Sequence, residues 1–255
     1  MMSDARLDMR IEGLDISLYS QIQSQTTDAD KRSLLAAQVC TRECVDRYVY
    51  LEIGSHLGGS IQPHLLDPKC RKIYSIDKRP PAQPDERGPT YEYLDNSTER
   101  MLSLLTNIDP DGLKKIECID ADTKSISPSC IHDAPNLCFI DGEHTPAAVL
   151  ADFDFCLKVC ALGATIVFHD AQIVFRGLRS VVSKLKGARR EFSQHALSDA
   201  VYVICLGGSL IPAKLAKFSS QTRVDDLWSP RNDFRLLRWR AQNFAEKAKK
   251  LFRAN

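Results

Sequence analysis

The sequence lacks the patterns that identify several common protein classes. No apolar run approaches the roughly 20 residues that would cross a bilayer, and the longest strongly apolar runs, such as 136–140 and 164–168, have the length of strands. No CxxC pair occurs, and the formal net charge is only +1. A transmembrane segment, a zinc framework and nucleic-acid binding by the chain as a whole are therefore not indicated.

The nine cysteines favour reduced thiols in a cytoplasm. Their number is odd, and Cys138 and Cys205 lie in apolar, strand-like runs where a thiol behaves as a small hydrophobe. Cys40 and Cys44, and likewise Cys156 and Cys160, are spaced four residues apart on expected helices. A zinc site is therefore the alternative. The N-terminal segment carries acids and no apolar block, so we expect no signal peptide and a cytoplasmic protein.

Short apolar runs alternate with helix-length amphipathic stretches between about 45 and 206. This alternation is typical of βα units with a parallel sheet. We predict an α/β, Rossmann-like, doubly wound and mostly parallel seven-stranded sheet with helical N- and C-terminal additions. The expected strands are 48–53, 72–76, 115–119, 137–140, 165–168, 200–206 and, more weakly, 189–195.

The 255 residues suit one large domain with appendages. We predict a helical N-terminal cap over 1–45, a ligand-binding domain over 46–207 and a C-terminal extension over 208–255. Within the central domain, 82–107 is expected to be an enlarged crossover with a proline-rich loop. The best-marked helix covers 145–161, with Thr145 as N-cap, Pro146 in the first turn and Gly163 just past its end.

The C-terminal segment 231–255 differs in charge from the rest of the chain. Its side chains carry a net +6, which leaves −5 elsewhere. One helical face is apolar and the others are basic; its apolar members are Phe234, Leu237, Ala241, Phe244, Ala248 and Leu251. We expect this stripe to pack on its own domain or across a homo-oligomer. Binding to an acidic surface, a lipid or a nucleic acid is the alternative.

A glycine-rich turn follows the first strand, in the sequence LEIGSHLGGS. Gly54 and Gly58 would allow a tight turn and a close approach of a ligand to the backbone. The spacing is neither GxGxxG nor a P-loop. An acid at Glu52 suits a cationic or amino-bearing ligand better than a pyrophosphate. A purely structural turn is the alternative.

Acids recur at the ends of the next two strands. Asp77 follows the second strand, 23 residues after Gly54, where an acid commonly binds ribose hydroxyls. Asp122 follows the third strand and could meet an adenine amino group. Each acid alone could be a solvated loop carboxylate, but their order after a glycine turn favours a nucleoside ligand.

The fourth and fifth strands end in FIDGEH and VFHD. If these strands are neighbours, Asp141 and Asp170 can converge on one cation, since ligands bind beyond the carboxyl ends of the strands. Two carboxylates suit Mg²⁺, with Mn²⁺ as the alternative if His169 is a third ligand. His169 could instead cap its strand. His144 could accept a proton from a substrate hydroxyl, or be structural.

The segments LEIGSHLGGS, IYSID, FIDGEHT and TIVFHDA together resemble the class I S-adenosylmethionine-dependent O-methyltransferases. The resemblance covers about 48–206 and is closest to the metal-dependent group, which includes catechol and macrolide-sugar O-methyltransferases. The catechol type carries Asp-Asn, and the macrolide-sugar type Glu-Asp, where this chain has His169-Asp170.

The resemblance implies a role for each candidate residue. The cofactor-binding residues would be Glu52, Gly54, Ser55, Gly58, Ser60, Asp77 and Asp122. The metal ligands would be Asp141, His169 and Asp170, and His144 would be the general base. The implied reaction methylates a hydroxyl of a small molecule such as a sugar or a catechol. The alternatives are a metal-independent methyltransferase, a non-catalytic nucleoside-binding scaffold and a nicotinamide dehydrogenase. The last is the least favoured, because its glycine spacing differs from the one in this chain.

Overall fold

Seven strands form one sheet in the computed structural model, which describes residues 4–88, 90–198, 200–207 and 211–254. The strand order is β5-β2-β1-β6-β7-β9-β8, and only β9 runs antiparallel to its neighbours. These strands are β1 (Tyr48–Ile53), β2 (Cys70–Ile76), β5 (Ile116–Ile119), β6 (Leu137–Ile140), β7 (Thr165–Phe168), β8 (Phe192–Ala196) and β9 (Tyr202–Leu206). The predicted fold class and its seven strands are confirmed.

The strand register aligns the carboxyl ends of the four central strands. Ile53 at the end of β1 pairs with Ile76 of β2 and with Ile140 of β6, and Ile140 pairs with Phe168 of β7. The residues that follow these strands therefore meet at one edge of the sheet. The predicted adjacency of the fourth and fifth strands is correct, since β6 pairs with β7.

Both faces of the sheet are covered, which explains why its strands are apolar almost throughout. Val49 and Leu51 of β1 face one core cluster, whereas Tyr48 and Tyr50 face the other. The alternation follows from the two-residue period of a strand. All six residues of β1 are buried.

Nine helices in the described ranges cover these two faces. They are α1 (Asp4–Glu12), α2 (Asp28–Arg42), α3 (Gln62–Leu66), α4 (Thr98–Thr106), α5 (Pro146–Val159), α6 (Ala171–Gly187), α7 (Ile211–Leu215), α8 (Gln221–Trp228) and α9 (Pro230–Ala254). The helix predicted over 145–161 is confirmed as α5. Its N-cap is Thr145, whose hydroxyl accepts from the backbone N–H of Ala148 at 3.3 Å.

The enlarged crossover contains a small hairpin that the sequence did not predict. Strands β3 (Ala82–Pro84) and β4 (Thr90–Glu92) pair antiparallel, and α4 follows them. Three-residue strands are too short to show a two-residue alternation, and the proline-rich segment is typical of a loop. This hairpin lies beside the candidate site.

The terminal helix α9 packs on the domain through a different face from the one that the sequence favoured. Leu236 is 2% exposed and joins the core, and Trp239 packs beside it. Phe234, Leu237 and Phe244 of the predicted stripe are exposed. The side chains of Ala248 and Leu251 lie outside the described part of the chain.

The cysteines are free thiols in this fold. Burial raises the pKa of Cys40 and of Cys70 to about 12, so these thiols are inert near neutral pH. Within the described ranges, none of the helices is both long enough and apolar enough to cross a membrane.

Candidate active site

The glycine turn after β1 brings the backbone against the end of β6. Gly54 has φ +89°, and a Cβ there would lie 2.2 Å from the carbonyl oxygen of Asp141. No side chain fits at that distance, so glycine is required. Gly58 also has a positive φ, of +81°. The two glycines therefore let the chain turn sharply against the end of β6.

Glu52 lies inside the protein beneath this turn. Its side chain accepts hydrogen bonds from the hydroxyls of Tyr50, at 2.6 Å, and Ser60, at 2.5 Å. Burial raises the pKa of Glu52 to about 7. Both carboxylate oxygens are therefore engaged by the protein, and Glu52 can influence a ligand through Ser60 and through its charge.

Glu52→Gln should change how stability depends on pH. The folded pKa of about 7 exceeds the ordinary value of 4.5. Between pH 4.5 and 7 the Glu52 carboxyl is ionised in the unfolded chain but still protonated in the folded chain. The free energy of unfolding therefore falls as pH rises through this range, and it stops falling above about pH 7. The amide cannot ionise. Thermal unfolding should therefore show the melting temperature of the variant rising relative to wild type from pH 5 to 7 and then levelling.

The exposed Glu99→Gln is the matched control, and its melting temperature should follow that of wild type at every pH. Parallel curves for wild type and Glu52→Gln would contradict a raised pKa at this position.

A cleft runs beside the glycine turn and holds the two acids predicted for a nucleoside. Asp77 accepts from the backbone N–H groups of His56, at 2.9 Å, and Arg79, at 2.8 Å. Asp122 lines the same cleft and caps a short 3₁₀ turn. The sheet thus brings both acids and Gly54 to one cleft.

Asp152 of α5 also lines this cleft and was not predicted. It is buried, it accepts from the hydroxyl of Thr123 at 2.6 Å, and burial raises its pKa to about 6. No sequence pattern marks it, because an acid within an amphipathic helix normally faces solvent.

Asp141, His144 and Asp170 form a compact group at the ends of β6 and β7. One ligand atom from each residue lies within 4.8 Å of the others. Asp170 has φ +51°, a left-handed conformation that is uncommon outside glycine and that often occurs at functional sites. Two carboxylates and an imidazole are a donor set for a divalent cation such as Mg²⁺ or Mn²⁺.

The imidazole of His144 lies between two carboxylates. Its Nδ1 is 3.0 Å from Oδ2 of Asp85, and its Nε2 is 3.2 Å from Oδ2 of Asp170. Burial alone would lower the pKa of His144, but the carboxylates of Asp141, Asp85 and Asp170 raise it to about 9. The ring is therefore fixed from both sides.

Asp85 comes from the β3–β4 hairpin and is itself firmly held. Arg87 contacts both of its carboxylate oxygens at 2.8 Å, and the backbone N–H of Glu86 donates to the carbonyl oxygen of His144 at 2.9 Å. The Asp85 side chain is 1% exposed. No sequence pattern predicts this contact, because it depends on how the hairpin docks.

His169 lies next to the group of three and contacts two of its members and one further acid. Its Nδ1 is 3.2 Å from Oδ1 of Asp141, and its Nε2 is 3.5 Å from Oδ2 of Asp30. Burial opposes protonation, but the charges of Asp141, Asp170 and Asp30 raise the pKa of His169 well above its ordinary value. Nδ1 of His169 also lies 3.6 Å from Oδ2 of Asp170, so both histidines lie beside Asp141 and Asp170. Both ring nitrogens of His169 thus face carboxylates, and its role as a metal ligand stays a prediction.

Asp30 was not predicted either. It is the third residue of the α2 capping box with Thr27, and its other oxygen accepts from Ser198 at 2.8 Å. A capping box explains this acid from local sequence, so its second partner could be found only from the structure.

A cavity of about 300 Å³ connects these groups. Its walls come from the glycine turn, the group of three, the hairpin and the loop before α2. The lining residues are Gln23, Ser24, Gln25, Thr26, Ser55, His56, Gly59, Ser60, Arg87, Tyr91, Tyr93, Asp141, His144, His169, Asp170 and Ile173. A small molecule in this cavity would meet the turn on one side and the acidic group on the other.

Residues 51–171 match the family model described as "Methyltransferase domain". The matched range runs from β1 to the start of α6 and includes the glycine turn and both strand ends of the acidic group. The predicted enzyme class, a methyltransferase, is confirmed at this level. No curated protein matches the chain in sequence.

Solved structures with the same fold include several methyltransferases. The O-methyltransferase NovP is 13% identical, with a TM-score of 0.59, over 80% of this chain and 99% of that chain. CalS11, a TDP-rhamnose 3′-O-methyltransferase of calicheamicin biosynthesis, is 12% identical, with a TM-score of 0.53, over 80% and 93%. Cofactor-bound Rv0187 from MTB is 12% identical, with a TM-score of 0.50, over 80% and 94%. At these identities the likeness establishes the fold.

Proposed function

We propose that this chain is an S-adenosylmethionine-dependent O-methyltransferase that acts on a hydroxyl of a small molecule with the help of a divalent cation. The match to a methyltransferase domain and the fold of NovP and CalS11 support the reaction class. One observation carries the proposal. A single cavity is lined by residues of the glycine turn, Ser55 and Ser60, and by Asp141, His144 and Asp170.

The residues beside the turn fit the cofactor. Gly54 allows β1 and the end of β6 to approach closely, and it lines the cleft that also holds Asp77 and Asp122. Gly54, Ser55, Gly58 and Ser60 would hold the methionine part, with Glu52 beneath them. Asp77 would hold the ribose and Asp122 the adenine side.

The group of three fits a divalent cation through its donor chemistry. Asp141 and Asp170 supply hard carboxylate oxygens, which suit Mg²⁺, and an imidazole nitrogen beside them would also suit Mn²⁺. His169 keeps a supporting role in this proposal, because Asp141 and Asp30 face its two ring nitrogens.

When bound, the cofactor supplies an activated methyl on a sulfonium, and the cation lowers the pKa of a hydroxyl that it binds. The chain aligns the acceptor oxygen with the methyl group, which is catalysis by proximity. Nε2 of His144 takes the hydroxyl proton as the new oxygen–carbon bond forms and the sulfur–carbon bond breaks. Asp85, at Nδ1, holds the ring in place.

One wall of the cavity favours a sugar-like acceptor, whereas Tyr91 and Tyr93 on another wall would suit a flat aromatic one. The loop at 23–26 lines the cavity with amide and hydroxyl side chains only. A substrate with vicinal hydroxyls could chelate the cation. CalS11, which shares the fold, is described as acting on TDP-rhamnose. A catechol-like diol is the second candidate. The cytoplasmic location stays a prediction.

Asp77→Ala should weaken S-adenosylmethionine binding by about 1.5–3 kcal/mol, the scale of hydrogen bonds to a charged group. Titration calorimetry with the purified protein measures this directly. The control is Asp120→Ala, at the end of β5, whose carboxylate contacts Thr98 and Arg79 rather than the cleft. Unchanged affinity in Asp77→Ala would contradict its role. Absence of binding to the wild-type protein would refute the proposed function.

A further inference from the structure

The inner face of α9 holds the helix on the domain. Leu236 and Trp239 pack against the core. Nε of Arg240 donates to the backbone carbonyl oxygen of Glu86 at 2.8 Å. The side-chain amide of Asn243 donates to the backbone carbonyl oxygen of Arg87 at 2.9 Å. These residues recur at helical spacing, so one side of α9 faces the domain along this stretch.

The opposite side is apolar and open to solvent. Phe234, Leu237 and Phe244 are 72%, 59% and 76% exposed, and the exposed Ala241 lies between them. We call these four residues the outer face. Three of the eight large exposed hydrophobic side chains in the described part of the chain belong to it. Scattered single hydrophobics need no explanation, but a contiguous stripe marks a contact surface.

Cationic side chains border this stripe along one edge. Arg231, Arg238 and Lys249 are exposed and fall on the same flank at helical spacing. An apolar face next to a row of Lys and Arg is the pattern of helices that lie in the interface of an anionic membrane. We propose that the outer face of α9 binds the surface of an anionic lipid bilayer.

Charge complementarity favours a lipid surface over a second copy of this chain. An antiparallel pair of α9 helices would bring like flanks together, so Arg231, Arg238 and Lys249 would face their own counterparts. Anionic headgroups would attract the same row. Each large apolar side chain that leaves water would strengthen binding roughly tenfold or more, and each cation near the surface by about fivefold.

Membrane contact would also place the candidate cavity close to the lipid surface. The inner face of α9 contacts Glu86 and Arg87, and Arg87 lines the cavity. A helix with its side chains is only about 10–12 Å across. The binding surface does not depend on the proposed methyl transfer, since no residue of the outer face lines the cavity.

Co-sedimentation of the full chain with lipid vesicles tests this surface. The chain should bind vesicles of equal parts phosphatidylcholine and phosphatidylglycerol, should bind far more weakly to phosphatidylcholine alone, and should be released by salt. The variant carrying Phe234→Ser, Leu237→Ser and Phe244→Ser should bind at least about 100-fold more weakly. Arg238→Glu should also weaken binding to the anionic vesicles.

Leu162→Ser is the matched control, because Leu162 is fully exposed in the turn between α5 and β7. It should bind like wild type, and circular dichroism should show that every variant is folded. Absence of binding to anionic vesicles would overturn the proposal, as would undiminished binding by the triple variant. A dimer in solution that the triple variant dissociates would assign the face to a second copy instead.

Discussion

The Asp170→Asn variant is expected to lose methyl transfer by at least about 100-fold while keeping its affinity for S-adenosylmethionine. Removal of a residue that merely supports a metal ligand typically costs 10–100-fold, and loss of a ligand should cost more. Asparagine suits this position, since it tolerates the left-handed conformation that Asp170 adopts at φ +51°. The substitution therefore changes charge with little strain.

Asp141→Asn should behave in the same way, because Asp141 belongs to the same group of potential ligand atoms. Binding of Mn²⁺, followed by electron paramagnetic resonance, should weaken in both variants. Cofactor affinity should change little, because the acids assigned to its nucleoside part, Asp77 and Asp122, lie in a separate cleft.

Asp133→Asn is the control, because the half-buried Asp133 pairs with Arg71 away from the group of three. We expect wild-type activity in this variant. Two outcomes would remove the cation from the mechanism. One is full activity in either variant of the group, and the other is full activity of wild type after dialysis against EDTA. The enzyme would then be a metal-independent methyltransferase.

Local sequence was sufficient for the central sheet and its strand-end residues. The strands that became β1, β6 and β7 could be predicted to the residue, because parallel strands buried on both faces are short continuous apolar runs. Their carboxyl ends necessarily meet at one edge. That constraint alone brings Gly54, Asp141 and Asp170 together, without any knowledge of side-chain packing.

Partners that come from other parts of the chain could not be predicted in this way. Asp85 meets His144 only because a hairpin of three-residue strands docks against the end of β6. Asp30 meets His169 from a helix that begins 20 residues before β1. The local sequence explains Asp85 as a turn residue and Asp30 as a capping residue. It therefore does not indicate that either acid also contacts a histidine.

His169 has one partner that its neighbours in the sequence suggest and one that they do not. His169 and Asp170 are consecutive, and the sequence suggested that both reach one cation. Consecutive side chains at a strand end point in different directions. His169 nevertheless lies beside Asp170, with Nδ1 at 3.6 Å from Oδ2, while its Nε2 faces Asp30 of α2.

The C-terminal helix illustrates a choice between two faces. Its sequence is more apolar along Phe234, Leu237 and Phe244 than along the face that packs. Arg240 and Asn243 favour the other face, because they donate to the carbonyl oxygens of Glu86 and Arg87 in the hairpin. Hydrophobic periodicity carries no information about such hydrogen bonds.

His144→Ala should lower turnover by about 10²–10⁴-fold, the usual contribution of general acid–base catalysis. The geometry supports this role, since Asp85 fixes Nδ1 and leaves Nε2 facing Asp170 and the cavity. Steady-state kinetics should show the loss in kcat. Calorimetry should show little change in the binding of S-adenosylmethionine, because His144 does not line the cleft that holds Asp77 and Asp122.

Metal affinity distinguishes the two roles open to His144. If the imidazole is the base, Mn²⁺ should bind His144→Ala as tightly as wild type. If the imidazole is a ligand, Mn²⁺ affinity should fall together with the rate. Asp85→Asn provides a second comparison, because an amide oxygen can still accept from Nδ1 but no longer carries charge. A base oriented by Asp85 should lose rate in Asp85→Asn while Mn²⁺ affinity stays constant.

The pH dependence of the rate gives an independent measure. A base acts only when it is deprotonated, so the rate of wild type should rise with pH toward the pKa of His144. The surrounding carboxylates raise that pKa to about 9, above the ordinary value of about 6.5. A cation held by Asp141 and Asp170 would offset their negative charge and lower the pKa of His144. The pKa that the rising limb reports should therefore be about 9 or lower. The limb should vanish or move in His144→Ala and persist in His169→Ala. Wild-type rate and profile in His144→Ala would exclude His144 as the base.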